Sequence, residues 1–161
     1  VLDHDFVTDH VWQMKVHESE YQVSVTFDTI RLPRRMRASY PRSLEQLVED
    51  WQKDEGFLVA ELDGQVRGYI DVLAQPWQEM GWVVNLAVDR SHRRRGIGTA
   101  LMRHARQWVR EQGLRTILVE ATTKNYPALR FYQKLGFQFT GFNDHYYPSQ
   151  DIALFFVQQV R

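Results

Sequence analysis

Apolar and polar positions divide the chain into strand-like and helix-like stretches. Tyr21, Val23, Val25 and Phe27 share one face of an alternating run, and a mixed strand-like stretch, Val11 to Val16, precedes it. Pro33 and Pro41 fall in the next stretch, Arg31 to Arg42, and predict a loop there. Ser43 reads as a helix N-cap with Gln46 three residues on. Leu44, Leu47, Val48 and Trp51 supply an apolar helical face, and Gly56 ends it. Phe57–Leu62 and Gln65–Leu73 flank Asp63-Gly64, a strong two-residue hairpin signal. Trp82–Val88 is nearly continuously apolar, as a strand buried on both faces should be. Ile97, Leu101, Ala105, Trp108 and Val109 then trace a helix from Gly96 to Gln112, with Gly113 after its end. Thr116–Glu120 is another strand, and a second helix runs from Tyr126 to Leu135, with Pro127 in its first turn and Gly136 beyond it. Strands at Phe137–Phe142 and Ile152–Val157 close the chain. Strand, helix, strand in the middle predicts a right-handed parallel crossover. The fold class is therefore α/β (α+β): a mixed, mostly antiparallel sheet with a central parallel pair, flanked by helices.

Composition narrows the function. With 161 residues, no repeat and no Pro/Gly/Ser-rich linker, residues 1–161 read as one domain. Twenty basic and twenty acidic residues give a net charge of +0, which argues against general nucleic-acid or membrane-surface binding. Cysteine is absent, so thiolate nucleophiles, Fe–S clusters and cysteine-ligated zinc are excluded; no metal site is expected. No run approaches the ~18–20 apolar residues of a membrane span, and no charged-then-apolar leader opens the chain, which predicts a cytoplasmic protein. Within the neutral total the arginines cluster, at Arg31, Arg34, Arg35, Arg37 and Arg42 and again at Arg90, Arg93, Arg94 and Arg95. Local positive patches of this kind suit a small polyanion.

The second cluster sits where chemistry is expected. A buried strand ends at Leu86-Ala87-Val88, a basic loop follows, and Gly96-Ile97-Gly98-Thr99 opens an amphipathic helix. The first amides of a helix lack intrahelical partners, and its dipole places about half a positive charge there. Gly96 and Gly98 allow close approach of an oxygen-rich ligand, and the neighbouring arginines add charge-assisted donors. The P-loop pattern is absent because Thr99-Ala100 follows Gly98. The dinucleotide fingerprint fails because Leu101 stands at its third glycine.

Arg93-x-x-Gly96-x-Gly98 resembles the acetyl-CoA pyrophosphate loop of the GNAT superfamily of N-acetyltransferases. Asn125-Tyr126-Pro127-Ala128-Leu129-Arg130-Phe131-Tyr132, ending in Gly136-Phe137, resembles the second signature of that family. The likeness runs from about residue 57 to 157, with residues 1–56 as the variable part. It implies acetyl-CoA as co-substrate. Arg93, Arg94, Arg95, Gly96, Ile97, Gly98 and Thr99 would meet the pyrophosphate. The main chain of Leu86, Ala87 and Val88 would pair with the pantetheine arm, an amide there (Val88) polarising the thioester carbonyl. Asn125 and Ala128 would line the cofactor arm, although Asn125 is equally a helix-cap residue.

The resemblance also implies Tyr132 as general acid, against the alternative that it packs with Ala128 and Leu135. Glu120 is the candidate general base, with Asp89 and Glu79 as rivals. Asp28, Trp77, Glu79, Asp144, Tyr146, Tyr147 and Asp151 are candidate contacts to a cationic acceptor. The acceptor is a primary amine on a small molecule, such as an amine antibiotic, or alternatively the N-terminal amine of a protein or peptide. A non-catalytic acyl-CoA-binding module is the further alternative. A nucleic-acid-binding role built on Arg31–Arg42 is the least favoured, and a homodimer through the N-terminal strand is left open.

Overall fold

The computed structural model describes residues 2–53 and 55–160. Two N-terminal strands, β1 (Phe6–Glu18) and β2 (Val23–Ala38), form a long antiparallel ribbon of their own. After α1 (Leu44–Gln52) come β3 (Gly56–Leu62), β4 (Gln65–Gln75) and β5 (Met80–Val88). These are followed by α2 (Ile97–Glu111), β6 (Thr116–Thr122), α3 (Tyr126–Lys134), β7 (Gln138–Asn143) and β8 (Ala153–Gln159). The main sheet has six strands in the order β3-β4-β5-β6-β8-β7, and β5–β6 is its parallel pair. The expected mixed sheet, its parallel centre and its flanking helices are all present.

Two N-terminal expectations change. The stretch from Arg31 is a strand as far as Ala38, not a loop. Pro33 is accommodated because the ladder skips from His10↔Arg31 to Thr8↔Met36, leaving it in a wide bulge where no backbone N–H is required. The apolar stripe of α1 does not face the core. The Ser43 hydroxyl caps the helix by accepting from the Gln46 amide, but Leu44, Val48 and Trp51 are exposed. Asp50 is the buried residue of the helix, held by Lys53 Nζ at 3.0 Å. Patterning alone does not say which side of a short helix meets the sheet. The alternating face of β2 is likewise half used. Phe27 packs against Trp12, Phe139 and Phe142, whereas Tyr21 lies in the connecting turn at 90% exposure and Val23 is exposed.

The core lies between the sheet and the two longer crossover elements. Leu101, Met102, Ala105 and Val109 of α2 bury against Ile70, Val72, Val83, Ile117 and Val119. The helix approaches so closely that a Cβ at Gly81 would stand 2.3 Å from Val109 Cγ2. On the other face, the ribbon docks through the Trp12 amide, which donates to the Thr123 carbonyl at 2.9 Å, and through the ring contact of Trp12 with Phe156.

One topological feature positions everything that follows. The β5–β6 pairing ends at Val83↔Val119. Beyond that point β5 continues along β4 to Val88, and β6 continues along β8 to Thr122. The two central strands therefore splay, and a gap opens between them. A bulge aids the divergence, because Val84 is the extra residue where the β4–β5 register shifts between Asp71↔Asn85 and Val72↔Val83.

Candidate active site

The β5 edge that faces the gap has main-chain groups to offer. The Asp89 amide donates to the Arg67 carbonyl on the β4 side. Strand alternation then turns the amides of Val88 and Leu86 the other way, into the gap. The Val88 carbonyl points there too, accepting from Arg93 Nε at 2.9 Å. This is a free strand edge inside the molecule, able to take an extended ligand.

Two cavities meet along this edge. The larger, about 620 Å3, runs over the turn between β5 and α2 and is walled on its far side by α3. Arg94 and Gly96 both adopt left-handed backbone conformations, φ 64° and 86°, which curl the loop around the start of α2. Gly96 has no Cβ to strain in that position. The first intrahelical bond is Ala100 N–H to Gly96 O, so the amides of Ile97, Gly98 and Thr99 remain free for an anion. Arg94, Gly96, Ile97, Gly98 and Thr99 line this groove as expected; Arg95 is exposed and does not. Tyr126, Arg130 and Lys134 of α3 face the loop across the groove. Their i, i+4, i+8 spacing is legible in the sequence and marks a cationic wall that motif matching passed over.

Arg93 does more than its motif position suggests. Its guanidinium donates to the carbonyls of Val88, Asp5 (3.0 Å) and Asp3 (2.6 Å). It staples the N-terminal segment to the end of β5, which no pattern in the sequence indicates.

The second cavity is a narrow chamber of about 190 Å3. It shares Leu86, Val88, Arg93, Pro127, Ala128 and Phe131 with the groove and runs through the gap to His4, Tyr40 and Tyr147. Leu86, Ala87, Val88, Asn125, Ala128, Tyr132 and Glu120 all line it, so the sequence-derived site residues converge. Asn125 Oδ1 accepts from the Ala128 amide at 3.2 Å, which is the capping role. Tyr132 is buried against Phe131, Phe137 and Phe156, and its hydroxyl has no hydrogen-bond partner among the described residues. Burial, and secondarily the negative charge of Glu120, push its phenol well above the ordinary tyrosine range. Packing and chamber-facing roles thus coincide in one residue.

Glu120 is not free at the end of its strand. Its side chain is 5% exposed and accepts from four donors. Arg42 (2.8 Å) and the Tyr147 hydroxyl (3.0 Å) take Oε1; Trp82 Nε1 (3.1 Å) and the Tyr146 hydroxyl (2.9 Å) take Oε2. A carboxylate offers about four acceptor positions, so this one is saturated. Arg42 also stacks over Trp82 at 5.6 Å. Arg42 comes from the loop before α1 and Tyr146–Tyr147 from the loop before β8, so Glu120 ties two loops to the sheet. Burial and the Glu120 charge raise the phenols of Tyr146 and Tyr147, keeping both as donors.

The rivals and the acceptor candidates lie elsewhere. The Asp89 carboxylate is taken up by Ser91 (2.7 Å), His92 (2.6 Å) and Arg67 (3.5 Å), and the Ser91 bond heads the contacts that hold its pKa down. Glu79 pairs with Arg115 at 3.0 Å at the opposite end of β5, next to Trp77, which is 82% exposed. Asp28 pairs with Lys15 on the exposed ribbon, and Asp144 with His145 on the surface. Asp151 pairs with Lys124, and of that set only Tyr146 and Tyr147 reach the site, both through Glu120. The residues the sequence did not assign to the site are Tyr40, Arg42, Trp82 and His4, all brought in by tertiary packing.

Comparison with known proteins agrees with this arrangement. Residues 25–137 match the model of the acetyltransferase (GNAT) family, and the chain belongs to that family. Among curated proteins it is 34% identical over 93 residues to streptothricin acetyltransferase of Streptomyces lavendulae, covering 58% of this chain and 49% of that one. It is 35% identical over 112 residues to an N-alpha-acetyltransferase of Sulfurisphaera tokodaii, covering 62% and 66%. The chain thus spans about half to two thirds of the length of these relatives. Among solved structures, nourseothricin acetyltransferase superposes on 99% of this chain and 89% of its own, with a TM-score of 0.82 and 25% identity. A ribosomal-protein-alanine N-acetyltransferase from Brucella melitensis shares the fold over 71% of this chain and 75% of its own, with a TM-score of 0.60 and 21% identity. Among the described residues no helix is long and apolar enough to cross a membrane.

Proposed function

We propose that the chain is an acetyl-CoA-dependent N-acetyltransferase that passes an acetyl group directly to a primary amine on a small molecule. The observation that carries this reading is the junction of groove and chamber at Leu86 and Val88. An anion-binding turn, a free strand edge and a buried phenol lie in sequence along one channel.

The residues present fit the co-substrate. The amides of Ile97, Gly98 and Thr99, with Arg94, Arg130 and Lys134, suit a pyrophosphate. The Leu86 and Val88 amides suit the carbonyls of an extended arm and of its thioester, in the manner of an added strand. When bound, acetyl-CoA supplies an activated acyl group. Tyr132 then holds a proton at Oη beside the point where a departing thiolate would form, and the burial that raises the phenol raises the basicity of that thiolate too. Glu120, saturated by four donors, shapes the acceptor end of the chamber, and we assign it a positioning role instead of that of general base.

A small-molecule acceptor is supported by the likeness to nourseothricin acetyltransferase, which extends over 99% of the chain, the N-terminal ribbon included. The chamber is also smaller than the roughly 300–1,000 Å3 of sites that engulf a whole ligand, so it admits only the amine-bearing end of an acceptor. The test is thiol release from acetyl-CoA with a panel of streptothricin, an aminoglycoside, spermidine and a lysine-containing tripeptide, with mass spectrometry of each amine. An acetylated small amine is the expected result. Acetylation of peptide N-termini alone would reverse the acceptor assignment. Stabilisation by acetyl-CoA without any turnover would leave a binding module.

A further inference from the structure

With Glu120 saturated, the amine's proton needs another destination, and the chamber offers one. His4 lines it, in the segment that Arg93, a residue shared with the groove, staples to β5. The imidazole is half-buried between Tyr40, edge-on at 5.4 Å, and Tyr69, at 5.7 Å. Its Nε2 lies 2.9 Å from the Tyr69 hydroxyl. Its Nδ1 has no protein partner among the described residues. Tyr69 itself is fixed on β4 opposite Ala87 and stacks on Phe57 at 5.4 Å. The ring is therefore held by its surroundings, with one nitrogen bound and one available.

We propose that His4 is the general base for the acceptor amine, with Nε2–H donating to the Tyr69 oxygen and the Nδ1 lone pair taking the proton. The inference rests on the acetyl-transfer reading. The proton balance is simple. An ammonium R–NH3+ gives one proton to Nδ1, leaving the neutral amine and an imidazolium. As the N–C bond forms and the C–S bond breaks, Tyr132 gives its Oη proton to the sulfur and the second proton of the nitrogen passes to the Tyr132 oxygen, restoring the phenol. The imidazolium returns its proton to water at the Asp3–Asp5 mouth of the chamber.

The charges around the ring fit the role. Desolvation is the main influence and lowers its pKa below the ordinary histidine value, Arg93 acting in the same sense and Asp3 and Asp5 opposing. Tyr69 and Tyr40 face it from β4 and from the loop before α1, and burial keeps both phenols protonated. His4 is consequently neutral, and able to accept, at and above neutral pH. Capacity is lost as pH falls through its pKa.

Two measurements test this together. An NMR titration of the His4 imidazole in the free protein should give a pKa below 6.5 and the Nε2–H tautomer. The acid limb of kcat/KM, taken with the best amine of the panel above, should fall at that same pKa. His4→Gln should lower kcat/KM about 100-fold and remove the limb, while circular dichroism shows the fold retained. A tautomer with the hydrogen on Nδ1, or an acid limb that does not follow the imidazole titration, overturns the proposal without any variant. His4→Gln with activity within threefold and its acid limb intact overturns the base assignment and leaves acetyl transfer standing. Absence of thiol release by the unaltered protein overturns both.

Discussion

Removing the Arg42 side chain isolates the contribution of the buried ion pair under the acceptor end of the chamber. The Glu120 carboxylate is 5% exposed and Arg42 19%, at 2.8 Å. At an effective dielectric near 20 the gross attraction at that distance is about 6 kcal/mol. Desolvation of the two ions offsets much of it, and breaking a buried pair by deleting one partner costs about 3–5 kcal/mol in practice. Arg42→Met leaves Trp82, Tyr146 and Tyr147 as the remaining donors to Glu120. It keeps the aliphatic stem over Trp82, so the lower end, about 3 kcal/mol, is expected. For a chain of this size that is a drop of about 6–12 °C in Tm. Urea unfolding of Arg42→Met, Glu120→Gln and the double variant measures the coupling directly. The double variant should recover about 2 kcal/mol relative to the sum of the singles. A loss below about 1 kcal/mol for Arg42→Met, or strict additivity, would refute the view that Glu120 is a saturated, paired anion.

Tyr132→Phe should cut kcat by about 100-fold or more while shifting the urea midpoint little, because the hydroxyl it removes has no partner; an unchanged kcat would remove Tyr132 from the chemistry. Asp71, 1% exposed on β4, is pushed up to about 6, chiefly by burial and next by the charge of Asp50. Its folded form holds a proton that the unfolded chain releases near 3.8, so stability falls as pH rises from about 4 to 6, by at most about 3 kcal/mol. Asp71→Asn should flatten that slope in pH-dependent unfolding, and an unaltered slope would refute the assignment. Gly81→Ala should destabilise by about 1–3 kcal/mol, because the new Cβ would meet Val109 Cγ2 at 2.3 Å; a neutral effect in thermal melts would show that α2 packs less closely on β5.

What sequence reading recovered and what it missed divide along a physical line. The strand–loop–helix at 86–99 and the helix at Tyr126–Lys134 are local structures, dictated by periodicity, capping and glycine, and they lie where expected. Tyr132 and Glu120 came to one site in the sequence only through the family resemblance; in the fold, β6 and α3 carry them there. The saturation of Glu120 was not legible. Its partners come from positions 42, 82, 146 and 147, and only the packed fold brings them together. The acceptor candidates chosen for charge and aromatic character fared worst. Asp28, Trp77, Glu79 and Asp144 are surface residues, and composition does not distinguish a solvated acid from one aimed into a cavity. Pro33 misled for a related reason, since a bulge in a two-stranded ribbon removes the hydrogen bond that proline would have broken. The staple from Arg93 to the carbonyls of Asp3 and Asp5 adds to what its motif implies: the arginine lines the groove and also ties the N-terminal segment to the end of β5.

The central claim is that acyl transfer takes place in the gap between β5 and β6, directly from co-substrate to amine, in a chain that has no cysteine to carry the group. A single-turnover quench with acetyl-labelled acetyl-CoA tests it most directly. The protein is mixed with label in the presence and absence of an accepted amine, and the label is followed on coenzyme, protein and amine over time. Label passing to the amine at the rate of turnover, with the protein unlabelled at every time point, is the predicted result. Label trapped covalently on the protein, or label that never leaves the coenzyme with any amine, would contradict it.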